Sequence, residues 1–242
     1  HLDLYCICEV SGPHTYDRFA KPHLSLLAGL QYLFTRKGPV ASSLFETGGF
    51  WYADPNARSP DIQMHLGLGT GIESGVAAMQ DGGVTLNACY LRPRSRGSVR
   101  LQSADPSVAP AIDPNYLADP NDRRNSIEGL KLTQRIMAQK PLQPFIKAER
   151  LPGPDVKTDE EYFNFICEHS KTSHHAAGTC RMGIDPAAPL DTQLRFNGIE
   201  GLRVADNSIM PTVISSNTNA AAIMIGEKAS DMIKAQYGMG SS

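Results

Sequence analysis

The chain has 242 residues, of which 41% are hydrophobic and 20% are charged, and its formal net charge is −2. This near-neutral charge excludes the strongly basic proteins that bind nucleic acids, and it gives no sign of binding to a membrane surface. No apolar run is long enough to span a bilayer, so we expect no transmembrane segment. The five cysteines are odd in number and favour reduced thiols and a cytoplasmic location.

The first part of the chain predicts strands and one helix. Residues 1–10 read as a strand or a connector, and residues 21–35 space their leucines as a helix does. The stretch F-E-T-G-G-F-W at residues 45–51 is typical of a glycine-rich turn. Residues 61–67 alternate as a half-buried strand in which His65 points away from the apolar side chains. Residues 69–83 read as a loop.

The second part predicts a hairpin, three helices and one more strand. Residues 84–91 and 98–103 read as two strands joined through R-P-R-S-R-G, whose arginines we interpret as a solvated turn. A helix from Asp119 to about Gln139 follows, and the capping box T-D-E-E at residues 158–161 opens another helix that ends at His169. The last predicted elements are a short buried strand at residues 202–205 and a helix from about Asn219 to Lys234.

Two stretches near the end of the chain form a specific combination. Residues 173–183 read S-H-H-A-A-G-T-C-R-M-G, and residues 201–228 contain D-N-S-I-M-P-T and S-S-N-T-N-A. Together they resemble the C-terminal signature of the glucose–methanol–choline (GMC) oxidoreductases, which are flavoenzymes that oxidise alcohols. The resemblance covers nearly the whole chain and is greatest to the choline dehydrogenase-like branch. It implies an FAD cofactor and a small alcohol substrate, and it leaves the electron acceptor open.

The resemblance assigns two catalytic residues. His175 falls on the family's catalytic histidine, and histidine as a residue type suits a base for the hydroxyl proton because its unperturbed pKa lies close to neutral pH. Asn217 falls on the second catalytic position, where an amide orients and stabilises the substrate oxygen. Two plainer interpretations stay open: a histidine with only a structural role, and an Asn217 or Asn219 that merely caps the last helix. His174 occupies a position that the family usually fills with another residue type.

The resemblance also implies contacts to the cofactor. Asp206 and Asn207 correspond to a pair that contacts the ribityl–phosphate region of the flavin cofactor. Asn217, Thr218 and Asn219 lie at the start of the last helix, whose positive N-terminus would face the flavin ring.

Three further residues are candidates for binding the substrate. Glu46 is the first residue of an E-x-G-G-F segment that lies beside the substrate pocket in the family, and Trp51 directly follows that segment. His65 corresponds to a strand histidine that some relatives direct at the substrate. The alternatives are a turn with Phe50 and Trp51 in the core, and a solvent-facing His65.

A metal site is the weakest of the hypotheses. The segment between residues 167 and 180 contains types of zinc ligand. Their spacing fits no standard finger, and two adjacent histidines would have difficulty binding one ion, so we expect no metal. The side chains concerned are Cys167, His169, His174, His175 and Cys180.

The dinucleotide-binding motif that such a flavoenzyme needs is missing from the sequence. Gly67, Gly69 and Gly71 give only G-L-G-T-G, without the third glycine of G-x-G-x-x-G or a following helix. His1 and Leu2 match the last two letters of N-L-Q-D-H-L, a mid-protein segment of the family. We therefore expect the C-terminal half of a longer enzyme, with the FAD-binding half in the same polypeptide or in a separate chain. Alone, residues 1–242 should bind FAD only weakly.

The predicted fold is α/β to α+β. A mostly antiparallel sheet with helices forms a substrate domain over residues 1–197, which ends with the catalytic loop. Residues 198–236 return to complete a Rossmann-like FAD-binding domain, and residues 237–242 form a tail.

The expected function is FAD-dependent oxidation of a primary alcohol, by hydride transfer to flavin N5 with a histidine as base. Two alternatives remain: an FAD-containing enzyme that resembles a hydroxynitrile lyase, and a binding module without flavin or catalysis.

Overall fold

The structure is a computed structural model that describes residues 1–70, 79 and 82–239. The described residues form two compact units. The sheet unit contains Leu2–Tyr90 and Pro120–Lys171, and the loop unit contains His1, Leu91–Asp119 and the residues from Thr172 onward. Most of the loop predicted at residues 69–83, including Gly71, lies outside the described residues, as do the last three residues of the predicted tail. The predicted domain boundaries stay predictions.

The regular elements alternate strands and helices along the chain. No helix of the described residues is both long and apolar enough to cross a membrane. In chain order the elements are β1 (Leu2–Val10), α1 (Pro22–Thr35), β2 (Phe45–Trp51), β3 (Ile62–Gly67), β4 (Gly83–Tyr90), β5 (Ser98–Arg100), β6 (Ala111–Asp113), α2 (Pro120–Met137), β7 (Ile146–Leu151), α3 (Asp159–His169), β8 (Lys171–Thr172) and α4 (Asn219–Gln236).

The sheet unit is built on a six-stranded sheet, in which the main path runs β2–β3–β4–β1–β7 and β8 also pairs with β1. The pairings along the main path are antiparallel, which confirms the predicted mostly antiparallel sheet. β1 and β4 lie in the middle of the sheet, and nearly all of their side chains are buried. The sequence expectation of a strand at residues 1–10 and of another at residues 61–67 is therefore confirmed.

Helix α2 covers one face of the sheet. Leu130 is fully buried, and Gly129 brings the helix backbone so close to the sheet that an added β-carbon would lie 3.0 Å from Ile62 Cδ1. Ile127 and Met137 of the same helix are buried as well. The helix that the sequence predicts from residue 119 to about residue 139 is thus confirmed.

The capping box also forms as predicted. The Thr158 hydroxyl accepts a hydrogen bond from the Glu161 backbone N–H, and the Glu161 carboxylate accepts one from the Thr158 N–H. These two bonds satisfy backbone donors that the first turn of a helix leaves free. They fix the start of α3, which ends at His169 as predicted.

Two predictions about local pairing are wrong. β4 pairs with β1 and β3 instead of forming a hairpin with residues 98–103, and β5 pairs with β6. Both edges of β4 are already occupied inside the sheet, so the local hairpin has no free edge to use. Residues 45–51 are a strand and not a turn, because Gly48 has no side chain and lets its backbone lie close to the Met64 carbonyl of β3.

The prediction of a strand at residues 202–205 is also wrong. Only Arg203 makes a bridge there, to Arg195, and Leu202 is 42% exposed. Among the described residues this stretch makes only that isolated bridge, which is too short to count as a strand. The core of the loop unit instead forms where Ile225 and Ala229 of α4 pack with four other buried side chains, which are Leu190, Leu194, Ile209 and Met210.

Candidate functional site

The loop unit joins the two sequence motifs by backbone hydrogen bonds. The Cys180 N–H donates to the Ser208 carbonyl at 3.0 Å, and the Met182 N–H donates to the Ile209 carbonyl at 2.9 Å. Residues 207–209 form a short 3₁₀ helix inside the D-N-S-I-M-P stretch. The G-T-C-R-M-G loop and the D-N-S-I-M-P stretch are therefore parts of one structure, although about 25 residues separate them in the sequence.

Gly178 explains why the G-T-C-R-M-G loop needs a glycine at this position. Its φ angle is +90°, and an added β-carbon would lie 3.3 Å from the Met210 carbonyl oxygen. Only glycine adopts this conformation without strain. The turn lies three residues after His175 and holds the end of its loop against the second motif.

His175 is half-buried and contacts another histidine. Its Nδ1 lies 2.8 Å from His1 Nδ1, and His1 Nε2 lies 3.1 Å from the Leu91 carbonyl oxygen. The two rings meet edge to face, with their centroids 4.9 Å apart. The neighbouring His174 is exposed and has a positive φ of 59°. The sequence analysis noted His1 as part of a family segment but missed this contact, because 174 residues separate the two histidines.

The start of α4 does not fit the helix-cap interpretation of the asparagines. The N-cap residue is Thr218, and its side chain makes no capping bond. Asn217 therefore precedes the cap and Asn219 follows it. Thr218 is buried. The role of Asn217 on the substrate oxygen stays a prediction.

Arg92 was missed as a positioning residue for the loop before α4. Its Nε donates to Ser215 Oγ at 3.2 Å, two residues before Asn217. The sequence predicts a solvated turn at Arg92, since the pattern R-P-R-S-R-G carries no signal of a partner more than a hundred residues away. Arg96 does cap its own turn, through the carbonyls of residues 93–95.

Asp206 and Asn207 occupy different environments in the 3₁₀ turn. The Asp206 carboxylate accepts a hydrogen bond from the Ser208 N–H at 2.7 Å and so caps the turn. Asn207 Oδ1 is buried and has no hydrogen-bond partner among the described residues. A buried acceptor of this kind costs free energy unless a donor reaches it. The site therefore fits a ligand that carries hydroxyl or N–H groups.

An ion pair lies at the end of the G-T-C-R-M-G loop. The Arg181 guanidinium donates to both carboxylate oxygens of Asp185, at 2.7 Å each. This contact lowers the pKa of Asp185 to about 2. Both side chains are substantially solvent-accessible, so we expect the pair to shape the loop more than to stabilise the protein.

The sheet unit holds the three candidates for substrate binding. Glu46 lies at a bulge between β2 and β3, and its carboxylate accepts hydrogen bonds from the hydroxyls of Ser42 and Tyr16. Both bonds lower the pKa of the exposed Glu46 carboxyl, and the bond from Ser42 has the larger effect. A carboxylate held in this way stays ionised and acts as an acceptor.

Trp51 and His65 do not share a face of the sheet. Trp51 pairs with Ile62, three residues before His65, so strand alternation places the two side chains on opposite faces. Trp51 is 57% exposed, which contradicts the alternative that placed it in the core. His65 is half-buried and lies beside the ring of Phe45, so both the substrate-facing and the solvent-facing interpretation of this histidine stay open.

A buried polar row crosses the sheet on the face of His65. In register, His65 of β3 lies beside Asn87 of β4, which lies beside Tyr5 of β1. Asn87 and Tyr5 are buried, and Asn87 Oδ1 has no hydrogen-bond partner among the described residues. The sequence analysis missed this row, although β1 and β4 alternate polar and apolar letters. Alternating polar letters in a sequence are consistent with a solvated face of a sheet. In this structure the side chains are buried, and buried polar side chains are consistent with a functional surface.

The structure thus divides the predicted site residues between the two units. The loop unit brings the catalytic and cofactor candidates into one folded region, and the sheet unit holds Glu46, Trp51 and His65. Within the described ranges, no three His, Cys, Asp or Glu side chains lie close enough together to hold a metal ion. The candidates in the loop unit are His175, Asp206, Asn207, Asn217, Thr218 and Asn219.

Comparisons with known proteins relate the chain to alcohol-oxidising enzymes. It is 38% identical over its whole length to an alcohol dehydrogenase [acceptor] of Pseudomonas putida, and 98% of it matches human mitochondrial choline dehydrogenase at 38% identity. An oxygen-dependent choline dehydrogenase of Brucella anthropi is 40% identical over 96% of the chain. The chain spans only 40–44% of the length of these relatives.

Solved structures agree with this relation. Pyridoxine 4-oxidase from Mesorbium loti superposes on the whole chain with a TM-score of 0.79 and 26% identity, and the match covers 43% of that enzyme. A crystal structure of formate oxidase matches 98% of the chain with a TM-score of 0.89, and the match covers 46% of the formate oxidase chain. The sequence identity of 24% means that this likeness supports the fold alone. The family model for the C-terminal domain of GMC oxidoreductases matches residues 93–226. Because this match covers more than half of the chain, the chain belongs to the GMC oxidoreductase family.

Proposed function

We propose that this chain forms part of an FAD-dependent enzyme that oxidises a primary alcohol, with His175 as the base and Asn217 as its partner. The observation that carries the proposal is the pair of backbone hydrogen bonds from Cys180 and Met182 to residues 208 and 209. They join the loop of His175 to the motif that leads into Asn217. The names of the curated relatives, alcohol and choline dehydrogenases, support the same activity.

The two polar side chains would have separate tasks. An imidazole nitrogen of His175 takes the hydroxyl proton of the alcohol, which leaves the substrate oxygen with more negative charge. The Asn217 amide donates a hydrogen bond to that oxygen and does not titrate. The loop of His175 is anchored at both ends, by the His1 carbonyl that accepts from the Ser173 N–H and by the contacts of Cys180. Such anchoring keeps the imidazole in place during proton transfer.

The residues of the loop unit fit an FAD cofactor. When bound, FAD supplies the acceptor for the hydride that leaves the alcohol carbon. The buried Oδ1 of Asn207, next to Asp206 in the chain, would accept a hydrogen bond from an O–H or N–H group of the cofactor. Asn219 begins α4, and its N-terminal N–H groups favour negative charge. The dinucleotide-binding glycine motif would come from a segment outside residues 1–242, in the same polypeptide or in another chain.

The candidates for substrate binding lie in the sheet unit. His65, with Asn87 and Tyr5 in the same row, offers polar groups on one sheet face, and Glu46 offers a carboxylate at the edge strand. Trp51 is exposed on the other face and could contact a substrate only from there. These residues offer hydrogen bonds and one negative charge, which suit a polar or cationic group. A cytoplasmic location stays part of the proposal.

Anaerobic mixing of alcohols with the complete FAD-loaded enzyme tests this function. The panel contains simple primary alcohols, aromatic primary alcohols and choline, and the measurement is the absorbance of oxidised flavin. We expect at least one primary alcohol to bleach the flavin within the time of a catalytic cycle. A flavin that no alcohol bleaches, in an enzyme that cleaves cyanohydrins, would establish a lyase and contradict the proposal.

A further inference from the structure

His1 and His175 form a chain of hydrogen bonds that ends on a backbone carbonyl. The Leu91 carbonyl oxygen lies 3.1 Å from His1 Nε2, and His1 Nδ1 lies 2.8 Å from His175 Nδ1. His1 is only 5% exposed and Leu91 is fully buried. Both contacts have ordinary hydrogen-bond lengths. The order of donors and acceptors along this chain determines which nitrogen of His175 carries a proton.

The Leu91 carbonyl oxygen determines which atom is donor and which is acceptor in each of these hydrogen bonds. An oxygen of this kind only accepts, so His1 Nε2 carries a hydrogen. A neutral imidazole has one N–H, which makes His1 Nδ1 an acceptor. Its partner at 2.8 Å, His175 Nδ1, must then be the donor. A neutral His175 with a hydrogen on Nδ1 has its lone pair on Nε2.

The opposite direction would need a doubly protonated His1. Its Nδ1 would then donate to His175 Nδ1, and a neutral His175 would carry its hydrogen on Nε2. Placing a positive charge on a side chain that is 5% exposed costs free energy, so burial favours the neutral His1. The two directions give opposite tautomers of His175, which makes them experimentally distinct.

We propose that His1 is a positioning residue that holds His175 in the tautomer with a basic Nε2. This inference rests on the proposed function of His175. When the alcohol O–H bond breaks, its electron pair stays on oxygen and the proton bonds to His175 Nε2. His175 becomes positively charged, keeps its hydrogen on Nδ1 and donates it more strongly to His1. A neutral imidazole thus does for His175 what a carboxylate does for the histidine of a serine protease triad.

Two amide substitutions at His1 separate its two hydrogen bonds. In His1→Asn the amide oxygen lies near the position of Nδ1 and can still accept from His175. In His1→Gln the amide group lies near the position of Nε2, so it can donate to Leu91 but no longer accepts from His175. We expect the rate of flavin reduction by substrate to fall about 10–100-fold in His1→Gln, which is the loss typical of removing a hydrogen-bond partner that orients a metal-binding histidine. His1→Asn should lie within about threefold of the unsubstituted enzyme, because its acceptor is kept.

The tautomer of His175 gives a readout that does not depend on activity. In the complete enzyme with ¹⁵N-labelled histidine, the ring nitrogens report their state by chemical shift, and His175→Gln identifies the signals. We expect a protonated Nδ1 and an unprotonated Nε2. A neutral His175 protonated on Nε2 would overturn the inference, and so would equal rates in His1→Asn and His1→Gln variants that both keep their FAD and their thermal midpoint.

The outcomes also separate this inference from the proposed function. If His175→Ala reduces flavin at the normal rate, His175 is not the base, whatever its tautomer. If His175→Ala is inactive while the tautomer is the opposite one, the function stands and the role of His1 is wrong. If a His1 variant does not fold, the ¹⁵N spectrum of the unsubstituted enzyme decides the question alone.

Discussion

Helices α1 and α2 have similar sequence signals and opposite environments. Both space apolar residues at helical intervals, and both carry a glycine near the middle. Yet α2 buries Leu130 completely and presses Gly129 against Ile62, whereas in α1 Leu27 is 60% exposed and an added β-carbon on Gly29 meets no side chain of the described residues within 4 Å. Apolar spacing therefore predicts that a helix forms, but not what covers it.

The two helices also differ in composition. α2 mixes charged and apolar residues, so only one stripe can face the sheet, and that stripe is the buried one. α1 contains no charged residue, so its sequence does not single out one face for the core, and in the structure Ala28 is its only buried residue. Substitutions at matched positions in the two helices can sharpen or break this contrast.

The largest effect is expected from removing a leucine side chain. Leu130→Ala should lower the free energy of unfolding by about 2–5 kcal/mol, because it leaves a cavity at a fully buried position. Leu27→Ala should change it by less than about 0.5 kcal/mol. Guanidinium denaturation of the two variants measures both values. A large loss in Leu27→Ala would show that other parts of the complete protein cover α1.

A smaller effect is expected at the two glycines. Gly129→Val should cost about 1–3 kcal/mol, since even the first added carbon already lies 3.0 Å from Ile62 Cδ1. Gly29→Val should be close to neutral, because valine has at least the helix propensity of glycine and meets no neighbour. Thermal midpoints compare the pair. Equal losses would mean that α2 can shift away from the sheet.

The smallest effect is expected at the helix starts. Thr158→Ala removes the capping box of α3 and should cost about 1 kcal/mol. Lys21→Ala is the matched control, because Lys21 is the N-cap residue of α1 and makes no capping bond with its side chain. Its effect should not be measurable. A loss of the same size in both variants would show that the hydroxyl of Thr158 contributes nothing specific.

Local signals explain what the sequence could predict. The capping box and the period of α2 depend on neighbours within a few residues, and both form as expected. β3 forms as a strand too, but Gln63 on its polar face is buried, so the strand is not half-buried as the alternation predicted. The family motifs identified the G-T-C-R-M-G loop and the D-N-S-I-M-P stretch as parts of one signature, but not the backbone hydrogen bonds that join them. Long-range contacts left no such signal. The pairing of β4 with β1, the bond from Arg92 to Ser215 and the contact of His1 with His175 all join residues far apart in the chain.

The rate of flavin reduction in two adjacent histidine variants tests the central claim most directly. The complete FAD-loaded enzyme, His175→Ala and His174→Ala are each mixed with the same primary alcohol without oxygen, and the loss of oxidised-flavin absorbance is timed. We predict that His175→Ala loses about a hundredfold or more of the rate, as expected for removal of a general base, and that exposed His174 can be replaced with little effect. Equal rates in the two variants would contradict the assignment of His175 as the base.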